Sequence, residues 1–158
     1  MKAARLAAAA LLVACLLPEW GRYLAERHLY RVSSATLLAA RAPERVPGGA
    51  RTLLAFADEG RSAARALPGD ARPLIAAASL ERLAGRPEAS RELLLTALAA
   101  GERPDVLLGL WQTARALGRP DEGRQALLRA AWLAPFIVEA LDHDDARAAV
   151  ATVRGLEA

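Results

Sequence analysis

A short segment that occurs twice, 33 residues apart, constrains the fold of this chain more than any other feature. The sequence LAGRPE at 83–88 returns as ALGRPD at 116–121. The correspondence continues at Arg91 and Arg124, at the leucine pairs 94–95 and 127–128, and at Ala97 and Ala130. A period of 33 or 34 residues is typical of arrays built from two-helix units. Because one helical hairpin buries only one of its faces, such units must stack on one another.

The composition favours helices throughout. The 158 residues include 39 alanines and 28 leucines but only seven aromatic residues, and alanine and leucine are the strongest helix formers. Residues 42–49 contain two prolines and two glycines and predict a loop, and the next predicted helix is Ala50–Leu67. Gly85 and Gly118 are suited to end a helix in the left-handed conformation, and prolines two residues later are suited to start the next helix. A last helix is predicted at 146–154. We therefore predict an all-α protein.

The positions within each unit resemble the tetratricopeptide repeat family. The unit that begins at Pro104 matches its pattern at Leu107, Leu110, Trp111, Ala114, Gly118, Gly123, Leu127, Ala130 and Pro135. The unit that begins near Ala71 matches at Leu74, Ala77, Ala78, Glu81, Gly85, Ser90, Leu94 and Ala97. The resemblance covers about residues 50–142. It implies that residues 50–158 form a short right-handed α-solenoid of helical hairpins with a capping helix at its C-terminal end.

The resemblance also implies a concave protein-binding groove formed by the first helix of each unit. It places eight residues on that face: Arg72, Ile75, Ser79, Arg82, Asp105, Leu108, Gln112 and Arg115. Arginines beside apolar positions are suited to bind an acidic or extended peptide, although solvated surface arginines explain the pattern equally well. The peptide-carboxylate clamp of some family members needs Asn and Lys. The chain has no Asn and only Lys2, which excludes that mechanism.

Residues 1–18 have the pattern of an export signal. Lys2 and Arg5 are followed by twelve apolar residues, 6–17, a basic start and apolar run of the expected kind. We favour an uncleaved signal anchor, a single-pass helix in a bacterial inner membrane with the repeats in the periplasm. The alternatives are a lipoprotein, because residues 12–15 (LVAC) resemble a lipobox with Cys15 as the lipidated residue, and a cleaved signal peptide. A buried helix of a soluble core is a further reading of the same run.

Residues 19–41 lack proline and predict a helical arm between the membrane segment and the loop at 42–49. Apolar residues recur on it at helical spacings, and they predict a contact face formed by Trp20, Leu24, Leu29 and Val32. If this face packs against other subunits, the protein is a structural component of a larger assembly.

The charged residues do not suggest an enzyme or a nucleic-acid-binding protein. The net charge is +3, acidic and basic residues are interspersed, and twenty of the 21 basic residues are arginine, a bias typical of GC-rich bacterial genomes. Nucleic-acid-binding proteins concentrate basic residues in one stripe. Residues 142–145 (DHDD) have the composition of a metal site, but adjacent positions diverge on a helix and a helix cap is the favoured interpretation.

The function expected from these features is protein–protein interaction. We expect a membrane-tethered scaffold or adaptor in a bacterial cell-envelope complex, without a catalytic site, a cofactor, a metal or a small-molecule substrate. The alternative is a small structural subunit of a membrane or filament assembly that packs through its N-terminal helix.

Overall fold

The computed structural model describes the backbone of residues 2–156 and the side chains of residues 17–156 other than 18 and 43. Within these ranges every regular element is helical, so the predicted all-α class is confirmed. The eight α-helices are α1 (Lys2–Arg41), α2 (Ala50–Ala66), α3 (Arg72–Leu83), α4 (Pro87–Ala100), α5 (Pro104–Ala116), α6 (Pro120–Leu133), α7 (Pro135–Glu139) and α8 (Asp144–Leu156). A short 3-10 turn, Pro43–Arg45, follows α1.

The repeated segment forms the same turn twice. Gly85 and Gly118 have φ values of 79° and 67°, in the left-handed region that glycine adopts without a Cβ penalty. In the first turn the Arg86 N–H donates to the Glu81 carbonyl at 2.9 Å, and in the second the Arg119 N–H donates to the Ala114 carbonyl at 2.9 Å. These bonds satisfy carbonyls at the end of a helix. The prolines that follow occupy the first positions of α4 and α6.

Successive helices pack on one another from α2 to α6, and α3 also contacts α5. Helix α6 then contacts both α7 and α8. The main hydrophobic cluster contains buried residues of α3, α4, α5, α6, α7 and α8, among them Leu94, Leu107, Trp111, Leu127 and Val150. The first helices of the two repeats therefore lie side by side above a shared core.

Helix α1 packs its second half onto α2 and α3. Val32 is fully buried and belongs to a second cluster with residues of α2 and α3, including Leu53, Ala57 and Leu80. Gly60 allows α2 to approach α3 closely. A Cβ at that position would lie 3.0 Å from the Ala77 Cβ and 3.1 Å from a backbone carbonyl of α3. The arm is thus part of the packed body rather than a free extension.

Two polar contacts between helices involve buried side chains. The Glu81 carboxylate is fully buried, accepts a hydrogen bond from Arg61 of α2 and pairs with Arg86 at 3.4 Å. The Ser90 and Thr113 hydroxyls form a buried hydrogen bond of 3.1 Å between α4 and α5. Both pairs fix the register between neighbouring helices.

Within the described residues no helix has an apolar stretch long enough to cross a membrane. The predicted membrane segment 1–18, with the candidate lipidation residue Cys15, lies outside the described side chains except for Leu17 and is not tested by this finding.

Candidate functional site

The predicted binding face begins at the start of α3, where Arg72 is bound by carboxylates. The guanidinium pairs with Asp70 at 2.6 Å and with Glu26 of α1 at 3.1 Å. The Asp70 carboxylate also accepts the Arg72 backbone N–H at 2.9 Å, as a residue at a helix N-terminus does. The hydrogen bond from the Arg72 side chain holds the pKa of Asp70 below its ordinary value, and the same bond raises the pKa of Arg72. Arg72 is therefore engaged within the chain.

The equivalent position at the start of α5 is also neutralised. The Arg103 guanidinium makes a bidentate contact with the Asp105 carboxylate at 3.0 and 2.8 Å. Burial alone would raise the pKa of Asp105, but the hydrogen bond and the charge of Arg103 outweigh it and lower the pKa. The charges of Asp70 and Arg103 also interact. The starts of α3 and α5 thus form one patch of alternating charge.

Farther along the face, Arg82 of α3 donates a hydrogen bond of 2.9 Å to the Gln112 side-chain carbonyl of α5. Burial lowers the pKa of Arg82, and the amide oxygen partly compensates for the lost hydration of the guanidinium. Ile75 and Leu108 are half-buried and pack against the main core. The Ser79 hydroxyl donates to the Ile75 carbonyl at 3.0 Å, within the helix.

Arg115, at the end of α5, differs from the other two predicted arginines. Its guanidinium lies over the Trp111 ring, 5.3 Å from the ring centroid, an attractive cation–π arrangement. Among the described residues it forms no ion pair with a carboxylate. Arg82 and Arg115 are therefore the two arginines of the predicted face that form no ion pair with a described carboxylate, and Arg115 alone lies over an aromatic ring.

A cavity of about 570 Å³ opens beside Arg115, between the end of α5, the start of α6 and helix α8. One wall of the cavity is apolar and is formed by Trp111, Leu127 and Leu128. The opposite side is closed by Ala148 and Ala149 of α8. The volume lies within the range of about 300–1,000 Å³ that is usual for ligand pockets.

Three arginines border this cavity: Arg115, Arg119 and Arg124. The one acidic residue in the lining is Asp145, at the start of α8. Arg119 approaches Glu122 at 3.6 Å, whereas Arg124, like Arg115, forms no ion pair with a described carboxylate. The cavity is therefore apolar in its walls and positively charged at its border. The sequence-based prediction included Arg115 but missed Arg119 and Arg124. The clustering of arginines around the repeated turn at Gly118 could have indicated them.

The arm face predicted from the sequence divides into two parts. Leu29 and Val32 are buried, with exposed fractions of 5% and 0%, against the chain's own helices. Trp20 and Leu24 are exposed, at 62% and 36%, and the Trp20 ring lies 5.7 Å from that of Tyr23. Of the four predicted face residues, only Trp20 and Leu24 thus remain exposed.

A further exposed apolar patch lies at the junction of α6 and α7 and was not predicted. It consists of Trp132, Leu133, Phe136 and Ile137, which are 40–72% exposed. These four residues belong to two helices separated by the break at Pro135. Residue spacing along a single helix therefore does not reveal that they form one surface.

Residues 142–145 lie at the start of α8. The His143 carbonyl accepts the Ala146 N–H at 3.1 Å, and the His143 Nδ1 accepts the Asp145 N–H at 3.1 Å. The hydrogen bond from Arg147 lowers the pKa of Asp144. Among the described residues no group of His, Cys, Asp and Glu side chains has the arrangement of a metal site.

No family model, curated protein or solved structure matches this chain.

Proposed function

We propose that this protein is a membrane-tethered helical-repeat scaffold or adaptor that binds a partner protein in a bacterial cell-envelope complex. In this proposal residues 50–158 are a short solenoid of tetratricopeptide-like hairpins, and α3 and α5 contribute one partner-binding face. No catalytic step is assigned to the chain.

The contact between α3 and α5 supports the binding face most directly. The hydrogen bond from Arg82 to Gln112 joins positions that are 30 residues apart in sequence, on the first helices of two repeats with the same turn geometry. Ile75 and Leu108 provide half-buried apolar surface beside it. Apolar surface edged by polar groups is the usual composition of a protein-binding surface.

The alternating charges on this face favour a partner of mixed charge over a strongly acidic one. Arg72 is paired with Asp70 and Glu26, and Asp105 is paired with Arg103. A strongly acidic peptide would have to approach the carboxylates of both pairs. The exceptions are Arg82 and Arg115, which form no ion pair with a described carboxylate.

The membrane tether rests on the sequence of residues 1–18, with the inner membrane as the proposed location and lipidation of Cys15 as the alternative. Intact-mass spectrometry of the membrane-extracted protein distinguishes the two: unmodified Cys15 in a chain that retains Met1 supports the anchor, and a diacylated chain that starts at Cys15 supports the lipoprotein. Recovery of the unmodified protein from the soluble fraction would contradict both.

A structural subunit that packs through its N-terminal helix is the second candidate. The exposed aromatic side chains Trp20, Tyr23 and Tyr30 on α1 favour it, since they are 57–76% exposed. Leu29 and Val32 do not contribute, because they are buried within the chain.

Site-specific photo-crosslinking in the native host separates the two candidates. We place a benzophenone amino acid at Gln112 on the proposed face, at Gln125 on α6 as the matched control, and at Trp20 on the arm. All three positions are exposed. The full chain is required, because removal of residues 1–41 would expose the cluster around Leu53 and Leu80 that Val32 covers.

The adaptor predicts a discrete adduct from position 112 that is absent from position 125. Adducts from position 20 alone would favour the structural subunit and contradict the adaptor. Equal labelling at 112 and 125 would also contradict it, because the proposed face would then be no different from the rest of the surface.

A further inference from the structure

We propose that the cavity between α5, α6 and α8 binds an amphipathic carboxylate, with the anionic group held by the bordering arginines and the apolar part against the cavity walls. This site adjoins the face formed by α3 and α5 at Arg115, which borders both. It does not depend on the partner or the membrane tether proposed above. It departs from the expectation that the chain takes no small ligand.

The charge of the cavity determines the sign of the ligand. Arg115, Arg119 and Arg124 face a single acidic lining residue, Asp145. Arg115 is held over Trp111 and has no described carboxylate partner. A ligand that supplies one negative charge would provide a counter-ion for Arg115 and Arg124, which form no ion pair with a described carboxylate, whereas Arg119 already lies near Glu122.

The walls determine the rest of the ligand. Leu127 and Trp111 are largely buried, so the cavity floor is apolar. Ala148 and Ala149 line the opposite wall with small side chains, which leaves the space open. An apolar group in this space loses contact with water, which favours binding in proportion to the apolar area that is buried. A simple inorganic anion would not use this surface.

An apolar group next to a carboxylate can come from two sources, a free small carboxylate or the C-terminal end of another polypeptide. Both present the same chemistry to the arginines. The probes are therefore hexanoate, with hexanamide as its neutral counterpart, and the peptide acetyl-Ala-Ala-Leu with a free carboxylate, compared with the same peptide as its amide.

Trp111 reports on occupancy because it lines the cavity. In the full chain with Trp20→Phe and Trp132→Phe it is the only tryptophan left, and both replaced side chains are about 60% exposed. We expect a saturable change in fluorescence with the carboxylate probes and none with the amides. Saturation by hexanoate alone identifies a free small carboxylate as the source, and saturation by the peptide identifies a chain end.

The cavity residues have matched controls on the same helices. Arg124→Gln should weaken binding about tenfold, since a charge-assisted hydrogen bond is lost, and Arg129→Gln, outside the lining on α6, should not. Ala148→Leu should block binding by filling the cavity, whereas Ala151→Leu, also exposed on α8, should not. Asp145→Asn should tighten binding severalfold, because the one opposing charge is removed. Circular dichroism of each variant checks that the helices are intact.

The proposal is overturned if carboxylates bind no better than their amides. It is also overturned if Arg124→Gln and Arg129→Gln have equal effects, or if Asp145→Asn weakens binding in a folded protein.

Discussion

Replacement of Arg61 by methionine removes the hydrogen-bond donor to the buried carboxylate of Glu81. Arg61 reaches from α2 to Glu81 of α3, whose side chain is 0% exposed. The second carboxylate oxygen accepts no hydrogen bond from the described residues. After the substitution only Arg86 remains near the carboxylate, at 3.4 Å from that second oxygen.

The expected cost follows from the burial of Glu81. Removal of one partner of a buried ion pair costs about 3–5 kcal/mol, because the other charge is left without compensation. Arg61 is 29% exposed and Arg86 is retained, so we expect the lower end, about 3 kcal/mol. For a chain of this size 1 kcal/mol corresponds to about 2–4 °C in Tm, which gives a decrease of about 6–12 °C.

The assay is urea unfolding of the full chain, monitored by far-UV circular dichroism. The control is Arg91→Met, which breaks the pair between Arg91 and Glu122 at 2.7 Å, where both side chains are about one third exposed. Such exposed pairs contribute about 0–1 kcal/mol. The double variant Arg61→Met/Glu81→Leu should lie within about 1 kcal/mol of the unmodified protein, because an apolar pair can replace a buried ion pair. If Arg61→Met costs no more than Arg91→Met, burial of Glu81 is not what makes the pair important.

Three further outcomes are expected. Gly60→Ala should lower the free energy of unfolding by about 1–3 kcal/mol through overpacking against α3. The control Gly21→Ala, at a position with no neighbouring atom within 4 Å, should raise it by about 0.5–1 kcal/mol. Denaturant midpoints measure both, and a stabilising Gly60→Ala would contradict the close approach of α2 and α3. Thr113→Val leaves the buried Ser90 hydroxyl without its partner and should lower the free energy of unfolding by about 1–3 kcal/mol. Adding Ser90→Ala should restore most of that stability. Thermal melts of the single and double variants test this, and additive costs would argue against a paired contact. The lowered pKa of Asp70 means that its contribution to stability is present above the unfolded pKa of about 3.9 and is lost as the pH falls through the lower folded pKa. Asp70→Asn should therefore be less stable than the unmodified protein at pH 7, and the difference should shrink as the pH is lowered. A constant difference between urea midpoints at pH 7, 4 and 2 would refute this.

The helices and their turns follow largely from local sequence. Gly85 and Gly118 terminate α3 and α5 in the left-handed conformation, and the prolines that follow begin the next helices. These signals act over about six residues, so a linear reading contains the information. The sequence predicts the last helix at 146–154, and the helix extends over Asp144–Leu156. It begins two residues early because the carbonyl of His143, the residue before Asp144, accepts the first helical hydrogen bonds.

The candidate sites were less accessible to sequence reasoning. The predicted face included Arg72, Arg82 and Arg115 without distinguishing them, although their partners are carboxylates, an amide oxygen and an aromatic ring, respectively. The partner of Arg82 is 30 residues away, and one partner of Arg72 is 46 residues away. Such pairings depend on how helices are placed in space, which residue spacing along one helix does not encode.

The arm shows the same limit. Periodicity marks Leu29 and Val32 as one apolar stripe with Trp20 and Leu24, but it does not identify what covers the stripe. The packing of α1 on α2 and α3 buries Leu29 and Val32. It leaves Trp20 and Leu24 exposed.

By itself the sequence determined that the chain is helical, where its helices turn, and that its two central hairpins are equivalent, because backbone propensity and turn chemistry are local properties. The tertiary structure decided which charges are neutralised, which apolar side chains remain exposed, and that α8 closes a basic cavity against α5 and α6. These properties depend on distances between residues far apart in the chain, and packing of the helices around a shared core sets those distances.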